Sequence, residues 1–210
     1  MKSLFAPGCA LRKYKPELVE KIYRFLGDRG IAEGVYTTCC KDEQAFSEKV
    51  RLIVCCPGCQ SRFQRSYPQV EAVSLWKILE DTDFPFPDYH GARMSIHDSC
   101  HARGRNSSEM QRSARAVCRR MNIECVEPEH TGDQAVCCGG SSGDYETRRQ
   151  MALARAAEFT EKDVVVYCTG CARSFSVTDV TPRYLPDLLF GEKTEGLYPP
   201  GHPGDLSAAR

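Results

Sequence analysis

The sequence lacks a long hydrophobic run and an excess of charge of either sign. Its longest apolar stretches, around 52–56 and 164–167, are far too short to cross a bilayer. Lys and Arg together number 28, as do Asp and Glu, so the zero net charge gives no general attraction to nucleic acid or to a membrane surface. Residues 1–9 also lack the apolar segment of a signal peptide. We therefore expect a cytoplasmic protein that neither binds nucleic acid nor inserts into a membrane.

Two common cofactor motifs are absent as well. The chain contains no C-x-x-C-x-x-C-x-x-x-C run for cubane iron–sulfur clusters and no G-x-G-x-x-G fingerprint for a dinucleotide. A redox function in this chain would therefore depend on electrons delivered by a separate protein.

Cysteine, in contrast, is abundant and regularly spaced. The chain has 13 cysteines, and ten of them follow one pattern that occurs twice: a single cysteine, an adjacent pair and a C-x-x-C. The first set is Cys9, Cys39, Cys40, Cys56 and Cys59, and the second is Cys100, Cys137, Cys138, Cys168 and Cys171. Five thiolates are one more than a zinc ion or an ordinary cubane cluster binds. The repeated surplus predicts two metal or redox sites of related design.

A disulfide framework explains this pattern less well than metal or redox chemistry does. The number of cysteines is odd, no export signal is present, and each set contains two cysteines that are adjacent in sequence. Adjacent cysteines form a disulfide with each other only under strain. We therefore interpret the thiols as ligands or redox groups in a reducing compartment.

Short β-rich segments end at or near the cysteines of both halves, and helical patterns separate them. The expected strands are 2–8, 35–38, 51–54, 93–97, 134–136 and 163–167, and the expected helices are 16–27, 74–80, 107–121, 144–159 and 184–190. This alternation predicts an α/β fold of two pseudo-repeated halves, each a small parallel sheet with flanking helices. We expect the first cysteine-rich repeat over 1–83, the second over 91–190, and a flexible Gly- and Pro-rich tail at 191–210.

The expected position of the cysteines, at the carboxyl ends of strands, suits metal binding. Ligands of parallel α/β sheets bind beyond these strand ends, where the following helices present their N-termini. Free N–H groups and partial positive charge at a helix N-terminus stabilise thiolates and anionic clusters.

The motif Cys137-Cys138-Gly139-Gly140, preceded by Ile96-His97-Asp98-Ser99-Cys100-His101 and followed by the second C-x-x-C, resembles the cysteine-rich CCG domain. This domain occurs in the B subunit of heterodisulfide reductase and in subunits of glycolate, lactate and fumarate/succinate-type oxidoreductases. The resemblance covers about residues 1–190. It implies that each five-cysteine set ligates a noncubane [4Fe-4S] cluster, with one or two clusters per chain. It also implies a small thiol or disulfide substrate at cluster iron and an electron-donor protein that carries cubane clusters or flavin.

The first half departs from the family pattern. It has Lys41 where the second half has Gly139, and 15 residues separate Cys40 from Cys56, against 29 between Cys138 and Cys168. A helix is therefore expected to be missing or shortened there. The first site is left with three alternatives, namely another cluster type, a zinc ion or no metal.

Several residues near the motifs admit both a structural and a functional interpretation. Cys118 and Cys125 are expected to be small buried residues, and Cys55 abuts Cys56 and is matched in the repeat by Tyr167. His97 and His101 flank Cys100; both are interpreted first as hydrogen-bonding groups that orient the loop, and His101 is the better candidate for a catalytic proton donor. Six basic residues are candidates for steering an anionic substrate or offsetting cluster charge: Arg12, Lys41, Arg62, Arg103, Arg105 and Arg173.

Three functional hypotheses are consistent with these features. The first is an anaerobic iron–sulfur oxidoreductase, resembling the heterodisulfide reductase B subunit, that cleaves or forms a disulfide at a noncubane cluster. The second is a non-catalytic electron-transfer subunit of a larger oxidoreductase. The third is a zinc-binding structural module, which the five-sulfur sets disfavour.

Overall fold

The computed structural model describes residues 1–104, 107–140 and 144–198, and the chain divides into two compact units, Met1–Phe84 and Pro85–Arg210. Arg105 and residues 199–210 of the expected tail lie outside the described residues. Within the described ranges, no helix is long and apolar enough to cross a membrane.

The first unit is a three-stranded parallel sheet with helices between its strands. Its elements in chain order are β1 (Lys2–Ala6), α1 (Gly8–Tyr14), α2 (Pro16–Asp28), β2 (Val50–Val54), α3 (Pro57–Ser66), β3 (Val70–Ser74) and α4 (Leu75–Glu80). The strand order is β1-β2-β3, with Leu4 opposite Leu52 and Leu52 opposite Ala72.

The second unit repeats this plan with a four-stranded parallel sheet. Its elements are β4 (Ala92–His97), α5 (Ser107–Arg120), β5 (Ile123–Val126), α6 (Tyr145–Ala156), β6 (Asp163–Val166), α7 (Thr169–Phe175), β7 (Thr181–Tyr184) and α8 (Leu185–Leu188), with 3₁₀ turns at Cys100–Ala102 and Gly132–Gln134. The strand order is β5-β4-β6-β7. The expected α/β fold of two parallel-sheet halves is confirmed.

Local sequence explains why these elements form. Helix α2 begins with Pro16, whose fixed φ suits the first helical turn, and buries a stripe of apolar residues at helical spacing. The side chains of Ser74 and Asp144 cap α4 and α6 by accepting hydrogen bonds from backbone N–H groups. Strands β2 and β6 are buried over most of their length, as in parallel sheets covered on both faces.

Two expected strands differ in the structure. Segment 35–38 forms only a single parallel bridge, Val35 to Phe5, although Tyr36 N–H donates to the carbonyl of Phe5 at 2.7 Å. Segment 134–136 is not a strand, because Gln134 and Ala135 direct their N–H groups back to Thr131 and Gly132 in a 3₁₀ turn. On the side of β4 away from β6, the neighbouring strand is β5 instead. Strand β5 thus corresponds to the single Val35 bridge on the side of β1 away from β2.

The short interval between Cys40 and Cys56 lacks the helix that the second unit has at the equivalent place, as the sequence predicted. Residues 41–49 contain turns and bends and no helix, whereas the longer interval of the second unit contains α6.

Candidate metal centres

The cysteines of both units lie where strands end and helices begin. Cys56 and Cys168 are the N-cap residues of α3 and α7, and one residue separates each of them from the end of β2 or β6. Cys9 lies in the first turn of α1 after β1, and Cys100 opens the 3₁₀ turn after β4. The parallel sheets therefore bring cysteines from separate segments to the same sheet edge.

In the first unit, the five sulfurs of the first set form a continuous series of contacts. The thiol of Cys39 donates to Cys9 at 3.4 Å, and that of Cys59 donates to Cys40 at 3.6 Å. Further hydrogen bonds join Cys39 to Cys40 and Cys56 to Cys59.

In the second unit, the sulfurs of the second set are connected in the same order. The sulfurs of Cys138 and Cys171 are hydrogen-bonded at 3.3 Å. Hydrogen bonds also join Cys100 to Cys137, Cys137 to Cys138 and Cys168 to Cys171. In both units the series runs from the single cysteine through the adjacent pair to the second and then the first cysteine of the C-x-x-C.

These contacts perturb the thiol pKa values in a matching way. Hydrogen bonds from Cys59 and, against the effect of burial, from Cys39 lower the pKa of Cys40 to about 6. Hydrogen bonds with Cys137 and Cys171 lower the pKa of Cys138. The second cysteine of each adjacent pair is thus predisposed to be a thiolate, the form that binds metal.

Glycines allow the close approach of the second set. Gly139 has φ +77°, and a Cβ there would lie 2.9 Å from the carbonyl oxygen of Arg148 and from Cβ of Met151 in α6. A Cβ on Gly140 would lie 2.9 Å from the carbonyl oxygen of Gly170, between the two cysteines of the C-x-x-C. These packing limits account for the two glycines after the cysteine pair.

Asp98 connects the three cysteine-bearing segments of the second unit. Its carboxylate is fully buried and accepts two hydrogen bonds from Arg115, at 3.0 and 2.8 Å. It also accepts from the hydroxyl of Tyr167 at 2.6 Å and from the N–H of Gly132 at 2.8 Å. Asp98 lies two residues before Cys100, Tyr167 directly precedes Cys168, and Gly132 belongs to the turn that leads to the cysteine pair.

The equivalent positions of the first unit form a simpler link. Cys55 corresponds to Tyr167, and Pro7 corresponds to Asp98. The buried thiol of Cys55 donates to the carbonyl oxygen of Pro7 at 3.1 Å. This contact gives Cys55 a structural role that joins the ends of β1 and β2.

His97 and His101 have different surroundings. His97 is buried, and its Nδ1 accepts a hydrogen bond from Nε of the fully buried Arg155 at 3.3 Å. A ring nitrogen of His97 and the sulfurs of Cys138 and Cys171 all lie within 4.8 Å of one another. His101 is exposed, with Nδ1 3.6 Å from the sulfur of Cys100, and this hydrogen bond lowers the pKa of Cys100.

Each unit has an open space next to its cysteines. In the second unit, a cavity of about 70 Å³ lies among the five cysteines and is also lined by His101 and Gly170. In the first unit, a groove of about 360 Å³ runs beside Cys9, with Arg12, Lys13 and Val19 among its walls. Glu20 also lines this groove, so the first unit presents two cations, one carboxylate and apolar surface next to one of its sulfurs.

The basic candidates fall into two groups. Arg12 and Arg173 donate to the carbonyl oxygens of Thr37 and Leu197 at 2.6 and 2.8 Å, and Arg103 donates to that of Ala135. Lys41 and Arg62 lower the pKa of Cys40 by their charge, after the effects of its sulfur partners and burial. Arg12, Arg103 and Arg173 thus hold backbone segments, whereas Lys41 and Arg62 act on a cysteine through their charge.

Cys118 and Cys125, outside the ten-cysteine pattern, lie close to each other between α5 and β5. Cys118 is fully buried, and a hydrogen bond with Cys125, together with burial, raises its pKa well above the ordinary value.

The sequence did not reveal Asp98, Arg115 and Arg155 as site residues. The only sequence signal for Asp98 was its place inside the motif, and the two arginines carried none.

Comparison with known proteins finds similarities for part of the chain. Residues 94–176 match the model of the family described as "CCG: Cysteine-rich domain". A probable membrane-anchored ferredoxin of Chromohalobacter salexigens is 29% identical over 102 residues, which cover 45% of this chain and 15% of that protein. The chain thus matches only a small part of that relative's length. Residues 94–176 of the four-stranded unit, with the cysteine pair, two glycines and C-x-x-C, are therefore similar to the CCG cysteine-rich domain.

Proposed function

We propose that the chain is an iron–sulfur electron-transfer protein in which each five-cysteine set holds a cluster. The CCG domain and the relative named as a ferredoxin support this function. The observation that carries the proposal is the series of contacts among five sulfurs, which has the same order in both units.

The residues present fit such a group. Cys100, Cys137, Cys138, Cys168 and Cys171 would hold the cluster of the second unit, around the cavity that they already line. Cys9, Cys39, Cys40, Cys56 and Cys59 would hold that of the first unit. Thiolates are the usual ligands of iron–sulfur clusters, and a bound cluster supplies one-electron redox chemistry. The five-thiol sets favour a noncubane [4Fe-4S] type.

The more specific function that we propose is reduction or formation of a disulfide, as in the heterodisulfide reductase B subunit. Cleavage of a disulfide consumes two electrons and two protons, breaks the S–S bond and releases two thiols. The electrons would come from a partner protein with cubane clusters or flavin. His101 lies at the exposed edge of the cavity beside Cys100 and would donate a proton to a departing thiolate. Arg12 and Lys13 would attract an anionic thiol to the groove beside Cys9.

Metal analysis of anaerobically purified protein tests the cluster proposal. We expect iron and acid-labile sulfide in equal amounts, beyond the content of one four-iron cluster. Cys138→Ser and Cys40→Ser should each reduce the content by about one cluster, whereas the control Cys118→Ala should not. Iron and sulfide that do not respond to Cys138→Ser would contradict the proposed ligand set.

Zinc is the second candidate, and the sulfur separations favour it. Tetrahedral zinc with Zn–S distances of about 2.3 Å places its sulfurs about 3.8 Å apart. The measured separations of 3.3–3.6 Å in both units are near that value. Zinc without sulfide, in a colourless protein, would replace the redox proposal by a structural metal site.

The disulfide reaction is tested separately in protein that contains clusters. Added thiols or disulfides should perturb the visible and electron paramagnetic resonance spectra. His101→Asn should leave the cluster content unchanged and slow disulfide reduction by about 10²-fold or more. The matched control is His90→Asn, at a histidine with an 87% exposed side chain. Spectra that no thiol or disulfide changes would leave electron transfer without a sulfur substrate.

A further inference from the structure

His97 is held between a buried cation and the sulfurs of the second set. It is 1% exposed, and Arg155, which contacts its Nδ1, is 0% exposed. The imidazole packs edge-on against Phe175 and Phe159, with ring centroids 4.9 and 6.2 Å away. Arg155 is itself anchored by Glu158 at 2.5 Å and by the carbonyl oxygen of His130 at 2.7 Å. The ring of His97 therefore has a fixed orientation.

The contact with Arg155 determines which nitrogen of His97 carries the proton. A guanidinium has only N–H donors and stays protonated in proteins. Nδ1 of His97, 3.3 Å from Nε of Arg155, must therefore offer its lone pair. In a neutral imidazole the proton is then on Nε2.

Nε2 is the ring nitrogen of His97 that the Arg155 contact leaves available. It is buried and makes no hydrogen bond to any atom of the described residues. The histidine nitrogen and the sulfurs of Cys138 and Cys171 lie within 4.8 Å of one another. A buried N–H without a partner is unfavourable, so its position near the sulfurs of Cys138 and Cys171 calls for an acceptor there.

We infer that His97 is a positioning residue that donates its Nε2–H to the thiolate of Cys138, and that Arg155 fixes the tautomer that makes this possible. The inference rests on the proposed function, because its acceptor is a thiolate that ligates a cluster. His97 is accordingly a hydrogen-bond donor to the centre and not one of its ligands, since a ligating Nε2 would have to lose the proton that the Arg155 contact places there.

This role has a direct electrochemical consequence. Hydrogen bonds to ligand sulfurs are among the factors that set iron–sulfur potentials, because they stabilise the more negative, reduced state. Removal of the Nε2–H should therefore shift the midpoint potential of the second-unit centre to more negative values. Loss of Arg155 should act in the same direction by releasing the other tautomer.

Redox titration of variants tests the inference. His97→Phe retains an aromatic ring against Phe159 and Phe175 but removes both nitrogens. We expect unchanged iron and sulfide and a more negative midpoint potential, with a negative shift also in Arg155→Met. The shift of the double variant should be smaller than the sum of the single shifts, because both act through one hydrogen bond. Phe159→Leu removes an aromatic ring that packs against both His97 and the Arg155 guanidinium but leaves the hydrogen-bonding atoms of both residues in place; it is the control for packing and should leave the potential unchanged.

Two outcomes overturn the inference while the proposed function stands. The first is an unchanged potential in a cluster-containing His97→Phe variant. The second is loss of metal from that variant with its circular dichroism unchanged, which would make His97 a ligand. If the wild-type protein lacks iron and sulfide, the proposed function fails instead. The tautomer is then measured in the metal-free protein from histidine ¹⁵N shifts, and a protonated Nδ1 would refute the part played by Arg155.

Discussion

Replacement of Asp98 by asparagine should destabilise the second unit more than the same replacement of an exposed aspartate. The carboxylate is 0% exposed and faces the Arg115 guanidinium, which is 18% exposed. An asparagine would retain one acceptor oxygen and place an NH₂ group against N–H or O–H donors. It would also remove the buried counter-charge of the guanidinium, which would keep only its ion pair with the 43% exposed Glu127 among the described residues. Loss of one partner of a buried ion pair costs about 3–5 kcal/mol. We expect a decrease of that size in the free energy of unfolding.

Urea unfolding of the metal-free protein, followed by hydrogen exchange of amides in β4 and β6, measures this change in the second unit. Tyr167→Phe removes one hydrogen bond to the same carboxylate and should cost about 1.5–3 kcal/mol. The control is Asp163→Asn, which breaks an ion pair to Arg183 whose side chains are 38% and 32% exposed, and it should cost at most about 1 kcal/mol. A decrease below about 1 kcal/mol for Asp98→Asn, equal to that of the control, would refute the structural role of this network.

Three further changes test other parts of the structure. Gly139→Ala should destabilise the second unit by more than the roughly 1–2 kcal/mol of left-handed backbone strain alone, because its Cβ would clash with α6. The control is Gly91→Ala, at φ +78° with no atom within 4 Å of the added Cβ, which measures the strain without the clash. Both variants are compared with wild type by urea titration. Cys55→Ala should lower the stability of the first unit by about 1 kcal/mol through loss of its hydrogen bond and leave its metal content unchanged; a loss of metal as large as that in Cys56→Ala would make Cys55 a ligand. Hydrogen bonds from Arg115 and Thr131, which outweigh burial, lower the pKa of Glu127 from 4.5, so its contribution to stability is present above pH 4.5 and is lost as the pH falls through the folded-state pKa. Urea midpoints measured from pH 5 downward should therefore fall less steeply for Glu127→Gln than for wild type, and parallel curves would contradict this assignment.

Much of the fold could be predicted because the chain repeats simple patterns. Helix α2 has an apolar stripe at helical spacing, and strands β2 and β6 are apolar except for Arg51 and Asp163, so the local pattern alone indicates them. The helices after the cysteines were missed because they are short and polar. Helix α3 had a usable signal in Pro57, which follows the N-cap Cys56 as the first helical residue.

The prediction of a strand at 134–136 was wrong for a physical reason that lies outside the segment. Asp98 accepts the N–H of Gly132, and the next N–H groups close a 3₁₀ turn instead of joining a ladder. The β propensity of three residues is too weak to compete with a buried carboxylate that lies 34 positions away in sequence.

The sequence by itself determined the repeated set of single cysteine, adjacent pair and C-x-x-C, and the α/β alternation that carries it, because spacing and periodicity are local properties of a chain. Only the tertiary structure decided which sulfur contacts which, that Asp98 joins three segments, and which nitrogen of His97 contacts Arg155. Arg115 lies 17 residues from Asp98, Tyr167 lies 69, and Arg155 lies 58 residues from His97. Hydrogen bonds over such separations exist only after the sheet has brought the strand ends together, so no local pattern can encode them.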